Sequence, residues 1–240
     1  EGPPVLACGG EIKNVFALTR GREAYLSQHI GDLEFYGNYR QFLSGIPHLE
    51  NILKVTPQVV AFDLHPEYAS SRYARSRQDL IPVGVQHHHA HLASAMAEHQ
   101  LPGTVLGVIC DGTGYGTDGG IWGGEFLLGG YEDFERRGHL AYVPLVGGEA
   151  SIRRPPRMAF SYLWQALGEE ALSLAERFLP SLAPGERELM RQQLRLAVNT
   201  WPTSSCGRLF DGVAAFLGVC EQAWYEGQAA IELEALAERA

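Results

Sequence analysis

The sequence lacks a long apolar segment, a basic cluster and a recognisable leader. No apolar run approaches the ~20 residues that a membrane-spanning helix needs. The formal net charge is −9 and the lysines and arginines are dispersed, whereas nucleic-acid-binding proteins normally carry a basic stripe. The first residues, Glu1-Gly2-Pro3-Pro4, lack the basic and apolar regions of a signal peptide. These absences predict a cytoplasmic protein whose main partner is neither a membrane nor a nucleic acid.

Cysteine is also scarce. The chain has four, at Cys8, Cys110, Cys206 and Cys220, and none forms a C-x-x-C pair. This dispersal suggests neither a zinc ribbon nor a disulfide framework. We expect each cysteine to be a small buried residue. With 240 residues, 45% of them hydrophobic, the chain is long enough for one large domain or two modest ones.

Histidine, in contrast, is concentrated. Four of the nine histidines lie in the run His87-His88-His89-Ala90-His91, between a strand-like segment and a helix-like one. His87 and His91 are four residues apart, so on a helix they share a face and can reach one metal ion. His88 and His91, three apart, are a competing pair, and capping or hydration of the imidazoles is the structural alternative. Two histidines do not complete a site, so a further oxygen or nitrogen donor is required.

The first hundred residues predict three antiparallel strands followed by alternating helices and strands. Strands are expected at residues 5–8, 15–18, 24–27, 59–63 and before 87, with helices near 39–54, 67–75 and from the histidine run onward. This is the element order of the ribonuclease-H-like fold. A second strand (105–110), glycine loop (111–120) and strand (121–128) repeat the opening. Two such halves are the plan of the actin-like ATPases, so we predict an α/β duplication with domains 1–100 and 101–240.

The second half is predicted to be incomplete. Beyond Leu140 the pattern indicates amphipathic helices near 158–167, 169–178, 186–198 and 207–217, a helical insertion without later alternating strands. The unpaired sheet would expose apolar surface and favour self-association. Arg153, Arg154 and Arg157 are expected to form a solvated basic patch.

The two glycine turns are candidate phosphate sites. Each runs into another strand rather than a helix, which excludes a P-loop, but a glycine-rich hairpin can still turn backbone N–H groups toward an anion. Glycine is also common in hairpins without any ligand. The first turn contains Lys13 and the second contains Asp111, Thr113 and Thr117. Their matching positions favour nucleotide phosphates.

Several of these motifs resemble one family. The segments 85–91, 110–119, 121–125, 63–66 and 27–33 are similar to the C-terminal, TsaD-like domain of HypF, the carbamoyltransferase of nickel–iron hydrogenase maturation. The resemblance implies transfer of a carbamoyl group from carbamoyl-adenylate to the C-terminal cysteine of the partner HypE. The resemblance further implies that carbamoyl-adenylate is made from carbamoyl phosphate and ATP by other HypF domains, namely the acylphosphatase, zinc-finger and YrdC-like domains.

The resemblance also implies roles for individual residues. A divalent zinc or iron ion would be bound by His87, His91 and Asp111, with a further aspartate expected from a later segment. Lys13 and Asp111 would be catalytic. The nucleotide and carbamoyl end would be held by Gly9, Gly10, Lys13, Gly112, Thr113, Gly114, Gly207 and Asp211. Arg153-Arg154-Pro155-Pro156-Arg157 departs from the family pattern, which leaves Arg153 and Arg157 as candidate anion ligands.

Three other functions remain open from the sequence. Small-molecule O-carbamoyltransferases and a tRNA threonylcarbamoyl relative have the same architecture. Alternatively, the chain could be a non-catalytic fragment that only binds a metal or HypE. The four-histidine block and the low basic charge disfavour the tRNA branch. Because one metal ligand and later strands are expected to be missing, we predict that these 240 residues alone bind metal but do not transfer the carbamoyl group.

Overall fold

The computed structural model describes residues 2–239, which form two compact units that divide between residues 90 and 91 (unit 1 before the division, unit 2 after it). Each unit is built around one five-stranded sheet with helices, which gives an α/β fold. No helix within residues 2–239 is both long and apolar enough to cross a membrane.

Unit 1 has the predicted ribonuclease-H-like order. Its elements are β1 (Val5–Ala7), β2 (Ala17–Arg20), β3 (Glu23–Leu26), α1 (Tyr36–Leu53), β4 (Val59–Asp63), α2 (Ala69–Ser76) and β5 (Ile81–Val85). The strands are arranged β3-β2-β1-β4-β5, with β1, β4 and β5 mutually parallel. The core of unit 1 lies between this sheet and α1, where Leu6, Leu18, Phe42, Ile46 and Val60 are fully buried.

Helix α3 (His87–Glu98) follows β5, and the division between the units falls within it. The remaining elements of unit 2 are β6 (Val105–Tyr115), β7 (Ile121–Gly129), β8 (Phe134–His139), β9 (Val143–Val146), α4 (Glu149–Arg153), α5 (Pro155–Leu167), α6 (Ala171–Phe178), α7 (Pro184–Leu196), β10 (Thr200–Thr203), α8 (Cys206–Phe216) and α9 (Gln228–Ala237). A short 3-10 turn, Gly168–Glu170, precedes α6. The strand order is β6-β7-β10-β9, with β8 also paired to β7.

The described residues of unit 2 contain three apolar clusters, one of which groups Ala214, Cys220 and Ala229. Leu92 and Met96 of α3 pack against Trp122 and Leu127 of β7. A separate cluster joins the helices of the insertion, with Phe160 of α5 at 0% exposure among its members. Leu92 and Met96 thus hold the apolar face of α3 against the sheet of unit 2. The polar first turn of α3, which contains the histidines, directly follows the end of β5.

Two predictions for the second half were wrong in detail. The glycine segment 111–120 is not all loop, because β6 continues to Tyr115 after an irregularity between Cys110 and Gly114. The stretch beyond Leu140 is not all helical, because β9 and β10 pair antiparallel within it. These strands have only four residues each, too few for an alternating pattern to stand out.

The outer edge of β6 has no partner among the described residues. In unit 1, β1 lies between β2 and β4, but in unit 2 the matching strand β6 ends the sheet. Leu106 and Val108 of β6 are 60% and 62% exposed. The later strands β9 and β10 therefore extend the sheet on the other side and do not take the position that β4 has in unit 1.

The structure also corrects two expectations about side chains. Cys8 and Cys220 are buried as expected, but Cys110 is exposed and Cys206 is half-buried. The predicted solvated basic patch is wrong for Arg157, which is buried; it shares the carboxylate of Glu186 with Arg154, each at 2.8 Å. Sequence could not reveal this pairing because Glu186 lies 29 residues beyond Arg157.

Candidate metal centre and nucleotide loops

The first turn of α3 presents two histidines on one face. Parallel pairing of β4 with β5 brings the chain to Gln86, and α3 begins at the next residue, His87. His91 follows one turn later and is exposed. This is the spacing that the sequence suggested for a metal site.

Asp111 of β6 supplies the third group. Its Oδ1 accepts a hydrogen bond of 2.6 Å from the N–H of Gly112, and its Oδ2 lies 3.9 Å from Nε2 of His91. Ligand atoms on one tetrahedral ion are roughly 3.4 Å apart, given metal–ligand distances of about 2.0–2.2 Å. One ligand atom from each of His87, His91 and Asp111 lies within 4.8 Å of the other two. Two imidazoles and one carboxylate are donors that suit zinc or iron, so the group fits the expected ion.

His87 is held from behind by a carboxylate. Its Nδ1 lies 2.7 Å from Oδ2 of Asp63, the last residue of β4, and the Asp63 side chain is 6% exposed. The other oxygen of Asp63 accepts a hydrogen bond of 2.8 Å from the N–H of His65. The sequence analysis noted Asp63 only as part of a motif. Its position at the end of a strand that pairs in parallel with β5 was the signal that could have placed it beside His87.

The competing pair of His88 and His91 is disfavoured by burial. His88 is 0% exposed, and its Nδ1 is 3.2 Å from Nε2 of Gln86. The Gln86 side chain also accepts a hydrogen bond of 2.9 Å from the N–H of His89. His88 is therefore a packed residue that anchors the start of α3, and His87 is the histidine grouped with His91 and Asp111.

The first glycine turn is held by its own side chains. Nδ2 of Asn14 donates to the carbonyl oxygens of Cys8 (2.9 Å) and Gly10 (2.6 Å). Gly9 has φ +69°, and a Cβ there would lie 2.3 Å from the carbonyl oxygen of Val15, so only glycine fits. Lys13 is exposed, and its backbone N–H donates to Asp32 at 2.9 Å. This places the Lys13 side chain at the surface of a fixed turn.

Glu11, in the same turn, caps another element. Its Oε2 accepts a hydrogen bond of 2.7 Å from the N–H of Ala69, the first residue of α2. Burial raises the pKa of Glu11, although hydrogen bonds from Ala69 and Ser70 oppose that shift. The N-terminus of α2 is thus already satisfied by a carboxylate of the protein.

The second glycine segment lies against the start of α8. The Ser205 hydroxyl donates to the carbonyl oxygen of Gly112 and accepts from the N–H of Arg208 at 3.0 Å, which makes it the N-cap of α8. A Cβ on Gly207 would lie 3.0 Å from Cα of Gly112, whereas a Cβ on Gly112 would meet open space. The structure thus brings Gly112 and Gly207 together, with Thr113 and Gly114 following in β6.

Asp211 is not at the surface. It is 4% exposed, and its Oδ2 accepts a hydrogen bond from Nε of Arg208 one turn earlier, at 2.5 Å. Burial raises the pKa of Asp211, and Arg208 opposes this. A ribose hydroxyl that contacts Asp211 would therefore bind a carboxylate that is already paired with Arg208.

A buried network missed by sequence reasoning supports this second segment. Oε1 of Glu125 accepts from the N–H groups of Gly123 (3.0 Å) and Gly124 (3.2 Å) and from the Ser204 hydroxyl (2.5 Å). A Cβ on Gly123 would lie 2.7 Å from the carbonyl oxygen of Asp111. The network fixes the close approach of β7 to the backbone of Asp111 and to the start of α8.

Two family models together match nearly the whole chain. The model described as HypF Kae1-like domain matches residues 1–98, and the model described as Carbamoyltransferase, Kae1-like Domain, second subdomain, matches residues 107–240. The chain belongs to the HypF carbamoyltransferase family. The Kae1-like assignment agrees with the α/β architecture of two sheets described above.

HypF relatives resemble the chain over nearly its full length. Carbamoyltransferase HypF2 of Cupriavidus necator is 44% identical over 242 residues, which cover 99% of this chain and 29% of the relative. HypF of Synechocystis sp. is 39% identical over 244 residues, which cover 96% of this chain and 32% of that HypF. The probable HypF of Methanocaldococcus jannaschii is 34% identical over 241 residues, covering 98% and 31%. The chain thus spans about 30% of the length of these HypF proteins.

Two solved HypF structures also match nearly the whole chain. A full-length HypF in its phosphate- and nucleotide-bound form matches with a TM-score of 0.92 and 42% identity, covering 98% of this chain and 30% of that one. HypF of T. kodakarensis matches with a TM-score of 0.91 and 36% identity, covering 99% and 32%. The fold is therefore that of the Kae1-like part of HypF.

Proposed function

We propose that this chain acts as the carbamoyl-transferring part of a HypF protein, with residues 1–100 and 101–240 as its two subdomains. The group transferred comes from carbamoyl-adenylate, and the acceptor is the C-terminal cysteine thiol of HypE. The observation that carries this proposal is the grouping of His87, His91 and Asp111 within a chain that matches HypF along its length. The acylphosphatase, zinc-finger and YrdC-like domains of HypF would supply the carbamoyl-adenylate.

The metal would be a divalent zinc or iron ion held by these three residues. When bound, such an ion stabilises negative charge on phosphate and carbonyl oxygens. The protein's own contribution is to present the two imidazoles one helical turn apart and to fix Asp111 through its hydrogen bond to the N–H of Gly112. Asp111 is thus both a ligand candidate and a proposed catalytic residue.

The nucleotide would lie along the two glycine segments. The phosphates and carbamoyl end are assigned to Gly9, Gly10, Lys13, Gly112, Thr113 and Gly114, and the adenosine side to Gly207 and Asp211. Open space beside Gly112 supports this, as does the phosphate- and nucleotide-bound form of a 42% identical HypF. The exposed ammonium of Lys13 would pair with a phosphate as a charge-assisted hydrogen bond.

The transfer requires no nucleophile from this chain. The thiolate sulfur of the acceptor cysteine forms a bond to the carbamoyl carbon, and the bond from that carbon to the phosphate oxygen breaks. AMP leaves with the electron pair, and the thiol proton passes to solvent. Backbone N–H groups of the glycine segments would stabilise the charge that develops on the oxygens.

The test uses a full-length HypF in which this chain replaces the corresponding segment. Mass spectrometry of HypE incubated with carbamoyl phosphate and ATP should show a carbamoylated C-terminal cysteine. His87→Ala/His91→Ala should abolish both this product and stoichiometric metal in elemental analysis. His88→Ala/His89→Ala serves as the matched pair and should retain most of the metal in the folded fraction. Equal metal loss from both pairs would reject the assigned ligands, and absence of the thiol product from the unsubstituted chimera would reject the transfer.

A further inference from the structure

The end of β4 carries a carboxylate that the proposed function does not use. Asp63 is the last residue of β4, paired in parallel register with Val85, the last residue of β5. The carboxyl ends of parallel neighbours lie side by side, so Asp63 meets the segment that leaves β5. The N–H of Leu64 donates to the carbonyl oxygen of Val85 at 3.2 Å and continues this contact beyond the strands.

The orientation of the Asp63 carboxylate is fixed on both oxygens. Oδ1 accepts from the N–H of His65 at 2.8 Å, and Oδ2 lies 2.7 Å from Nδ1 of His87. The backbone oxygen of Asp63 accepts from the Ser71 hydroxyl at 2.7 Å, which anchors the residue to α2. With its side chain 6% exposed, the carboxylate has little freedom to turn away from the imidazole.

A carboxylate oxygen only accepts hydrogen bonds, so Nδ1 of His87 must be the donor. In the neutral imidazole the proton then sits on Nδ1, and Nε2 carries the lone pair that can coordinate an ion. A carboxylate or carbonyl behind a ligating histidine fixes its tautomer and ring orientation and raises its basicity.

We infer that Asp63 is a positioning residue that holds His87 in the Nδ1–H form, so that Nε2 is its metal-binding atom. This inference rests on the proposed metal site. It adds the carboxylate at the end of β4 to the ligands on α3 and β6.

The main variant is Asp63→Asn, which keeps the size and removes the charge. The amide introduced by this change can donate to Nδ1 and thereby favour the opposite tautomer. We expect zinc affinity, measured by competition with a chromophoric chelator on the full chain, to fall roughly 10- to 100-fold. Glu11→Gln is the matched control, because Glu11 is also a buried carboxylate of unit 1 but caps α2. It should leave zinc affinity within about threefold.

A second measurement reads the tautomer directly without any metal. Nitrogen-15 spectra of the imidazoles, with His87 assigned by comparison with His87→Gln, should show the proton on Nδ1 in the metal-free parent chain. A predominant Nε2–H form there would overturn the inference, whatever Asp63→Asn does to folding. Unchanged zinc affinity in a folded Asp63→Asn protein would also overturn it. If the parent chain binds no zinc, the proposed metal site fails, while the metal-free spectra still decide the role of Asp63.

Discussion

Nε of Arg136 lies 2.6 Å from Oε2 of Glu125, whose side chain is 0% exposed. Arg136 sits on β8 and Glu125 on the neighbouring strand β7. The same guanidinium lies 4.0 Å over the ring of Trp122 and donates to Asp118 at 2.9 Å. One arginine therefore links a buried carboxylate, an aromatic ring and the tip of the β6–β7 hairpin.

Removing the charge of Glu125 should destabilise unit 2 strongly. We expect Glu125→Gln to lower the free energy of unfolding by about 1.5–3 kcal/mol, because the charge-assisted hydrogen bond to Arg136 is lost. Among the described residues, Arg136 then keeps only the partly exposed carboxylate of Asp118 as a counter-charge. Urea denaturation followed by circular dichroism measures this. The control is Glu149→Gln, since Glu149 pairs with Arg153 at the surface, with 71% and 68% of the side chains exposed, and it should cost less than about 1 kcal/mol. Similar losses from both variants would contradict the assignment.

The same network predicts loss of stability in acid. Burial alone would raise the pKa of Asp118, but hydrogen bonds from Tyr142, Gly120 and Trp122 outweigh it and lower that pKa from 3.8 to about 2. For Glu125, hydrogen bonds from Arg136 and Ser204 likewise outweigh burial and lower the pKa from 4.5. Both groups bind protons less readily in the folded state, so their stabilisation is present above the unfolded pKa and is lost as pH falls through the folded one.

Urea titrations should therefore show the free energy of unfolding falling from about pH 5 toward pH 3. Asp118→Asn should lower stability at neutral pH and make this decline shallower, because one of the two groups no longer titrates. An Asp118→Asn protein with the same pH slope as the parent would show that the carboxylate does not contribute in this way.

The space beside Gly112 offers a clean test of nucleotide binding. A Cβ there would meet no atom within 4 Å apart from its chain neighbours, so Gly112→Val should leave the backbone in place while filling the proposed phosphate space. Lys13→Ala should remove a phosphate partner worth about 1–3 kcal/mol. Calorimetry with AMP should show weaker binding for both variants. Gly185→Val is the control, because a Cβ at Gly185, in the first turn of α7, would likewise meet no atom of another segment within 4 Å. AMP affinity that is the same in all four proteins would reject the site.

The open edge of β6 should govern self-association. Unpaired strand edges with apolar side chains template contacts between molecules, and lysine on such a strand blocks them. We expect Leu106→Lys/Val108→Lys to shift sedimentation profiles at high concentration toward monomer. Leu196→Lys, on α7 and 72% exposed, should leave the profile unchanged. Association that responds to Leu196→Lys instead would place the contact elsewhere.

Local patterns predicted the parts of the fold that have strong local signals. The strand at residues 59–63 matches β4 at both ends, because four consecutive apolar residues are followed by an aspartate. The spacing of His87 and His91 was enough to predict that both residues share one helical face. The short strands β9 and β10 escaped prediction because their partners, and not their own sequences, define them.

Contacts between distant segments were beyond the reach of the sequence. The Ser204 hydroxyl meets Glu125 across 79 residues of chain, and Arg136 meets it only through the register of β7 and β8. Glu125 was recognised as part of a motif without a role. Pairing of Asp63 with His87 similarly depends on two parallel strands ending at the same level.

The four cysteines differ in burial, so a thiol reagent should modify one of them selectively. Burial raises the pKa of Cys8 to about 12 and that of Cys220 to about 11, and burial together with Cys110 raises that of Cys206 to about 11. Thiols react as thiolates, so these three should resist alkylation at neutral pH. Cys110 is exposed and directly precedes Asp111. A maleimide dye should therefore label Cys110 alone in the unaltered sequence. Because Cys110 lies on β6 next to Asp111, the fluorescence of that dye would report ligand binding.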